Sequence, residues 1–157
     1  MKEKTIIIDL LILVFIFALG AIVSNIFSSN LNMPFGHSAD VTSPSNWIDE
    51  SQVNVYQDKV ILNVENSRWI GFTNTNSMDP IFDVEANVIE IVPESLDDIN
   101  VGDIISFKVG TQTYIHRVIA KDYDDQGIYF ITKGDNNPDT DPVIVREPIG
   151  VVVGIIY

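Results

Sequence analysis

A serine on a polar turn is the first candidate for chemistry in this chain. Ser77 ends a polar run at residues 73–77, and Pro80 restricts the backbone just beyond it. On a tight turn a serine can act as a nucleophile, with nearby backbone N–H groups facing a developing oxyanion. The alternative is an ordinary Ser- and Asn-rich turn whose side chains bond to their own backbone.

The second candidate is His116, which lies in an apolar run at residues 114–119. An imidazole gains and loses a proton near neutral pH, so a histidine can serve as a general base. The apolar positions Ile115, Val118 and Ile119 break strict alternation, which predicts a β-bulge or a strand end near His116. The alternative is a surface histidine, or a core histidine whose hydrogen bonds are satisfied.

The third candidate is an acidic loop at residues 132–142. Four oxygen-bearing side chains alternate along it, namely Asp135, Asn137, Asp139 and Asp141. Such alternation is typical of calcium loops, but an EF-hand needs Gly and Glu where this chain has Thr140 and Arg146. An EF-hand is therefore excluded, while a looser calcium site and a solvated acidic turn stay open beside the catalytic interpretation.

Hydroxyl, imidazole and carboxylate are the three parts of a serine hydrolase, in which the carboxylate orients the imidazole that takes the hydroxyl proton. The second histidine, His37, lies in a Ser-, Asn- and Pro-rich segment, so His116 is the one imidazole in the region that follows. Cysteine is absent, which excludes thiol nucleophiles, disulfides and metal–thiolate sites. Two histidines are too few for a His-rich metal site. We therefore predict neither a metal nor a cofactor.

The elements that must position these residues are predicted to be strands. From residue 53 onward, short runs rich in Val, Ile, Tyr and Phe alternate with turn clusters. The predicted strands are residues 60–64, 69–73, 87–92, 103–109, 114–120, 128–132 and 149–156. The clearest hairpin turns at Gly110, residues 93–98 predict one helical turn, and the last, uniformly apolar strand is expected to be buried on both faces. This spacing predicts a mainly β fold, a sandwich or coiled barrel.

An apolar segment at residues 5–27 predicts a transmembrane anchor. Its roughly 23 residues would form about 34 Å of helix, enough for a hydrocarbon core of about 30 Å. The alternative is a cleaved secretory signal with an apolar core at residues 10–23. Lys2 and Lys4 precede the segment, and the next Lys or Arg is Lys59, which predicts that the rest of the chain lies outside the cytoplasm.

The predicted organisation therefore has three parts. Residues 1–27 form a cytoplasmic tip and an anchor, residues 28–52 a linker, and residues 53–157 a single extracytoplasmic β domain. Nine Lys and Arg against 22 Asp and Glu give a net charge of −13. Because phosphate binding needs a basic face, this charge argues against a nucleic-acid partner.

Four motifs in one order are similar to the boxes of the signal peptidase I family. They are Ser77-Met78-Asp79-Pro80, residues 101–107, residues 114–119, and Lys133-Gly134-Asp135-Asn136-Asn137 followed by Asp141. The chain thus resembles the membrane-anchored serine peptidases that remove signal peptides from exported proteins. Bacterial members have a lysine where this chain has His116, so the resemblance is to the archaeal and endoplasmic-reticulum branch.

This resemblance implies a signal-peptidase-type barrel and a role for each site residue. Ser77 is the nucleophile, His116 the base and Asp141 the orienting carboxylate, with Asp135 as a second, supporting acid. An oxyanion hole is implied at the backbone N–H of Ser77 and the hydroxyl of Thr75. The family usually has glycine where this chain has Asn76, so Asn76 is expected to adopt a backbone conformation that glycine takes more easily.

The implied partners are the signal peptides of preproteins and the lipid membrane, with accessory subunits left open. Two alternatives remain at this point. One is a self-cleaving or regulatory serine peptidase of the same fold, although those relatives resemble cytoplasmic Ser-Lys proteins. The other is an anchored acidic β domain that binds calcium or a surface partner through residues 135–141 without catalysis.

Overall fold

The computed structural model describes residue 12, residues 14–19 and residues 41–157. Ile12 and residues 14–19 are helical. The remainder of the predicted anchor, together with residues 28–40 of the predicted linker, lies outside the described residues. No helix within the described residues has the length and apolar character needed to cross a bilayer. The segment Val41–Tyr157 forms a compact unit of its own.

That compact unit is mainly β, as the sequence predicts, and its sheets are antiparallel. Its strands are β1 (Val53–Val55), β2 (Val60–Leu62), β3 (Ser67–Gly71), β4 (Asn87–Ile91), β5 (Ile104–Val109), β6 (Gln112–Asp124), β7 (Gly127–Lys133), β8 (Ile144–Val145) and β9 (Gly150–Ile156). Strands β1 and β2 form a sheet of their own, and the other seven pair in the order β3-β4-β9-β5-β6-β7-β8. Short 3₁₀ turns occur at Glu50–Gln52 and Leu96–Asp98.

Each predicted strand is present with shifts of at most two residues at its ends, except that β6 continues four residues beyond its predicted end. Strands β1 and β8 escaped prediction because three and two residues are too few to show a period. The predicted hairpin is β5 with β6, and Gly110 in its turn has a positive φ of 61°, which glycine adopts without steric cost. The helical turn predicted at residues 93–98 is the 3₁₀ turn, capped where Ser95 Oγ accepts a bond from the Asp97 N–H.

Strand β9 lies between β4 and β5 and joins two hydrophobic clusters. Its buried Val151 belongs to one cluster with Ile105 and Phe107, and its buried Val152 belongs to a second with Ile104. Successive side chains of a strand point to opposite faces, so both faces of the central strands are covered. The prediction of an apolar strand buried on both faces therefore holds for Gly150–Val152, whereas residues 153–155 are partly buried and Ile156 is exposed.

Residues 41–52 differ from the predicted linker, because the segment packs on the β domain. Ser45 N–H donates to Asp103 Oδ1 at 2.6 Å, and Asn100 N–H donates to the other oxygen of this fully buried carboxylate. Trp47 packs against the first hydrophobic cluster. A buried carboxylate needs such donors, so these residues belong to the fold. The polar composition of this segment predicts irregular structure, but composition alone does not show that the segment packs on the β domain.

The irregularity predicted near His116 lies further along β6. His116 pairs with Ile105 in regular register, whereas the register with β7 shifts between Val118 and Ala120. Ile119 is the extra residue of this bulge, and its side chain is exposed. An exposed isoleucine next to a buried valine is what disturbed the alternation in the sequence. The bulge is therefore at Ile119 rather than at His116.

Candidate active site

The connection from β3 to β4 presents Ser77 at the wall of a cleft. We call residues 73–77 the serine turn. Ser77 is its last residue and remains partly exposed. Directly after it, Met78 and Phe82 are buried in the second hydrophobic cluster. The apolar side chains hold the connection on the domain, while the polar run before them stays at the surface.

His116 reaches Ser77 from the middle of β6. Its Nε2 lies 3.1 Å from Ser77 Oγ, although the two residues are 39 positions apart in the chain. The imidazole is buried and has Phe107 and Tyr114 as ring neighbours, with ring centroids at 6.1 and 6.0 Å. Packing against aromatic rings restricts the orientation of the imidazole, so one nitrogen faces the serine.

Asp141 occupies the other side of the imidazole. Its Oδ2 lies 2.8 Å from His116 Nδ1, so Nδ1 carries the proton and Nε2 is left to accept the Ser77 hydroxyl. The buried Thr132 hydroxyl donates to the same Oδ2 at 2.6 Å, and the Asp141 N–H donates to the Thr132 carbonyl at 2.8 Å. Thr132 was not identified from the sequence, because a threonine within a strand carries no signal of its own.

Thr75 lies beside Ser77, where the resemblance implies an oxyanion hole. Its Oγ1 is 3.2 Å from Ser77 Oγ and makes a long contact of 3.5 Å with the Ser77 N–H. With the Ser77 hydroxyl directed at the imidazole, the Thr75 hydroxyl is the donor of this pair. A side-chain O–H and a backbone N–H thus stand next to the candidate nucleophile.

Asn76 has the backbone conformation expected of a position where glycine is usual. Its φ is 56°, in the left-handed region. The loop after β7 supports it: Asn136 Nδ2 donates to the Asn76 carbonyl at 2.9 Å, and Asn136 N–H donates to the Ser77 carbonyl at 3.0 Å. Gly134 allows this approach, since a Cβ at that position would lie 2.6 Å from the Ser77 carbonyl oxygen.

Asp135 is engaged away from the imidazole. Its two carboxylate oxygens accept bonds from Arg117 Nε and Nη2 at 2.8 and 2.7 Å. Arg117 Nη1 also donates to the carbonyls of Gly102 and Thr42, at 2.8 and 3.2 Å. This bidentate ion pair ties the loop after β7 to β6 and to the segment before β1. Asp135 therefore has a supporting position, and Asp141 is the acid in contact with His116.

Replacing Asp135 by alanine is expected to lower the free energy of unfolding by about 3–5 kcal/mol, because Arg117 would keep a buried charge without its partner. The two side chains are only 5% and 9% exposed. The double variant Arg117→Met/Asp135→Ala should lose less free energy of unfolding than Asp135→Ala alone. Replacing the exposed Asp139 by alanine should lower it by less than about 0.5 kcal/mol. Urea unfolding of the full chain measures all three. If Asp135→Ala lowers the free energy of unfolding by less than about 1 kcal/mol, as is typical of a surface pair, the Arg117–Asp135 ion pair is not buried.

The carboxylates of the alternative calcium loop are directed to different partners. Asp135 binds Arg117, whereas Asp141 binds His116 and Thr132. In the part of the chain that the structure describes, no group of three or more His, Asp or Glu side chains is arranged to hold a metal ion.

A cleft of about 640 Å³ runs past Ser77 and His116. Its lining includes Ile70 in β3, Phe72 just after β3, and residues 112–116 at the start of β6. Among the described strands, β3 pairs with β4 alone, and β6 pairs with β7 only from Arg117 onward. Within the described residues, these two sheet edges beside the cleft therefore have unpaired backbone groups, and such edges accept an extended peptide as an added strand.

The arrangement contains the groups that acyl transfer requires. A hydroxyl lies within hydrogen-bond distance of an imidazole that a carboxylate orients, and both line one cleft. Comparison of the chain with protein-family models, with curated proteins and with solved structures finds no match.

Proposed function

We propose that this chain is a membrane-anchored serine endopeptidase that removes signal peptides from exported preproteins. The single observation that carries the proposal is the unbroken hydrogen-bond series from Ser77 through His116 to Asp141, at the wall of a cleft between two unpaired strand edges. The four motifs similar to signal peptidase I supply the substrate class. The domain is then a coiled barrel of the signal-peptidase type.

The reaction begins when His116 Nε2 takes the Ser77 proton. Ser77 Oγ bonds to the scissile carbonyl carbon, and the resulting oxyanion is stabilised by the Ser77 N–H and the Thr75 hydroxyl. His116 then gives its proton to the leaving amine as the C–N bond breaks, leaving an acyl-enzyme. A water that loses its proton to His116 releases the acyl group, and the proton returns to Ser77. Asp141 stabilises the imidazolium in both halves.

The substrate is an extended peptide segment with a small residue before the cut. Backbone bonds to the free edges of β3 and β6 would hold the peptide along the cleft, without regard to most of its side chains. The preference for small residues follows from the resemblance to the family.

The proposed anchor is the apolar segment at residues 5–27, with Lys2 and Lys4 on the cytoplasmic side. Confining enzyme and preprotein to one membrane surface raises their effective concentration, which favours cleavage of signal peptides over cleavage of free proteins. The catalytic domain would then work on the outer face of the membrane.

The test is cleavage of a preprotein by the full chain in lipid vesicles, with the product mass giving the cut. We expect one cut after a small residue. Replacing that residue in the preprotein by phenylalanine should slow cleavage about 100-fold or more, because a subsite for a small side chain rejects a large one. Equal cleavage of both preproteins would contradict the proposed specificity. No cleavage of either, together with calcium-dependent thermal stabilisation, would favour the calcium-binding alternative.

A further inference from the structure

Asp83 lies at the far end of the connection that carries Ser77, and it lines the same cleft. Its Oδ1 accepts two bonds from consecutive backbone groups of the serine turn, from Thr75 N–H at 3.2 Å and from Asn76 N–H at 3.4 Å. One carboxylate oxygen thus holds two adjacent peptide planes directly before the candidate nucleophile.

These bonds fall where the backbone is left-handed. Asn76 has a positive φ, a conformation that asparagine adopts more readily than most residues but less freely than glycine. Asp83 holds the amide side of Asn76, and Asn136 holds its carbonyl side through the 2.9 Å bond from Nδ2. The two side chains together hold Asn76 in a conformation that glycine would adopt at lower cost.

The conformation at Asn76 decides where the oxyanion donors point. The Ser77 N–H belongs to the peptide plane that follows Asn76, so a rotation at Asn76 would change the direction in which this donor points. Asp83 accepts from the N–H groups of Thr75 and Asn76, whereas the Ser77 N–H makes only the long 3.5 Å contact with Thr75 Oγ1, which a substrate oxyanion can replace. Donors fixed in advance stabilise a transition state without the cost of reorganisation.

We propose that Asp83 is a positioning residue that keeps the serine turn in its catalytic conformation by binding the N–H groups of Thr75 and Asn76. This inference rests on the proposed peptidase function. Asp83 acts through the backbone and contacts no reacting atom, so its effect belongs to kcat rather than to substrate binding.

The kinetic test compares Asp83→Ala, Asp83→Asn and the control Glu85→Ala, which removes the same charge two residues away at an exposed position. We expect Asp83→Ala to lower kcat about 10- to 100-fold with KM changed less than about threefold. Asparagine keeps a carbonyl oxygen at the same place, so Asp83→Asn should retain most of the activity, and Glu85→Ala all of it. Wild-type kcat in Asp83→Ala would overturn the proposal.

A second arm tests the turn through Asn76→Gly. Glycine adopts a positive φ without steric cost, so Asn76→Gly added to Asp83→Ala should recover a large part of the lost kcat. A purely structural role of Asp83 in the domain would give no such recovery. A double variant no more active than Asp83→Ala would therefore overturn the positioning role.

The third arm does not depend on cleavage. Amide hydrogen exchange of the full chain, followed by NMR, should be at least about tenfold faster at Thr75 and Asn76 in Asp83→Ala than in wild type or in Glu85→Ala. Unchanged exchange at both amides would overturn the proposal even if kcat fell. If the wild-type chain cleaves no preprotein, the proposed function fails, and this arm alone then decides whether Asp83 orders the turn.

Discussion

Replacing Ser77 by alanine is expected to lower kcat/KM for preprotein cleavage about 10⁶-fold, because the atom that bonds to the substrate is lost. The thermal unfolding midpoint should stay within about 2 °C of wild type, since the partly exposed Ser77 side chain packs in neither hydrophobic cluster. Cleavage of a preprotein in vesicles and thermal unfolding of the same preparations measure the two effects. The control is Ser67→Ala, an exposed serine at the start of β3 outside the cleft, which should cleave at the wild-type rate.

A neighbouring hydroxyl complicates this result in a measurable way. Thr75 Oγ1 lies 3.2 Å from Ser77 Oγ, so residual cleavage in Ser77→Ala has an identifiable source. Adding Thr75→Val to Ser77→Ala should then abolish the residual cleavage. Cleavage by Ser77→Ala within tenfold of wild type, persisting in the double variant, would show that neither hydroxyl is the nucleophile and would refute the serine-peptidase mechanism.

Replacing Asp141 by asparagine is expected to lower kcat about 10⁴-fold, as in the comparable substitution of the triad carboxylate in serine proteases. The asparagine Nδ2 can donate to His116 Nδ1, which places the imidazole proton on Nε2. That nitrogen then cannot accept the Ser77 proton. Preprotein cleavage under single-turnover conditions measures the loss, and near-equal thermal midpoints would show that it is chemical.

Two other acids of the same loop provide controls for Asp141. Asp139→Asn is exposed and should leave kcat within about twofold of wild type. Asp135→Asn should act mainly on stability, because Asp135 binds Arg117. Equal losses of kcat in the Asp139 and Asp141 variants, at equal stability, would contradict the assignment of the orienting carboxylate.

The mainly β fold was predictable because most of its strands are local patterns. Runs of β-branched and aromatic residues, divided by Gly-, Asn- and Asp-rich turns, are visible without knowledge of the partner strand. Strand β8 is two residues long and depends on its pairing with β7, so no local signal marks it. The packing of residues 41–52 depends on Asp103 and on Trp47 finding their partners, which is equally invisible in a polar segment.

The candidate site was predictable to the extent that residue chemistry limits the choice. A chain without cysteine, with one histidine in its β domain, offers few partners for Ser77. Distance could not be read from the sequence, since His116 and Asp141 are 25 positions apart and meet only through the pairing of β6 with β7. Asp83 and Thr132 were missed because only their hydrogen bonds in the folded chain distinguish them. Many other aspartates and threonines have similar neighbours in the sequence.

The placement of β9 has a consequence for biosynthesis. Strands β3 and β4 flank Ser77, β6 carries His116, and the sheet connects these two groups through β9, which is translated after all of them. Pairing across such long sequence separations is slow, because chain closure must precede the contacts that reward it. The two groups of strands would therefore be joined into one sheet only after β9 has emerged. Under the proposed function, the complete catalytic site would then form late in biosynthesis.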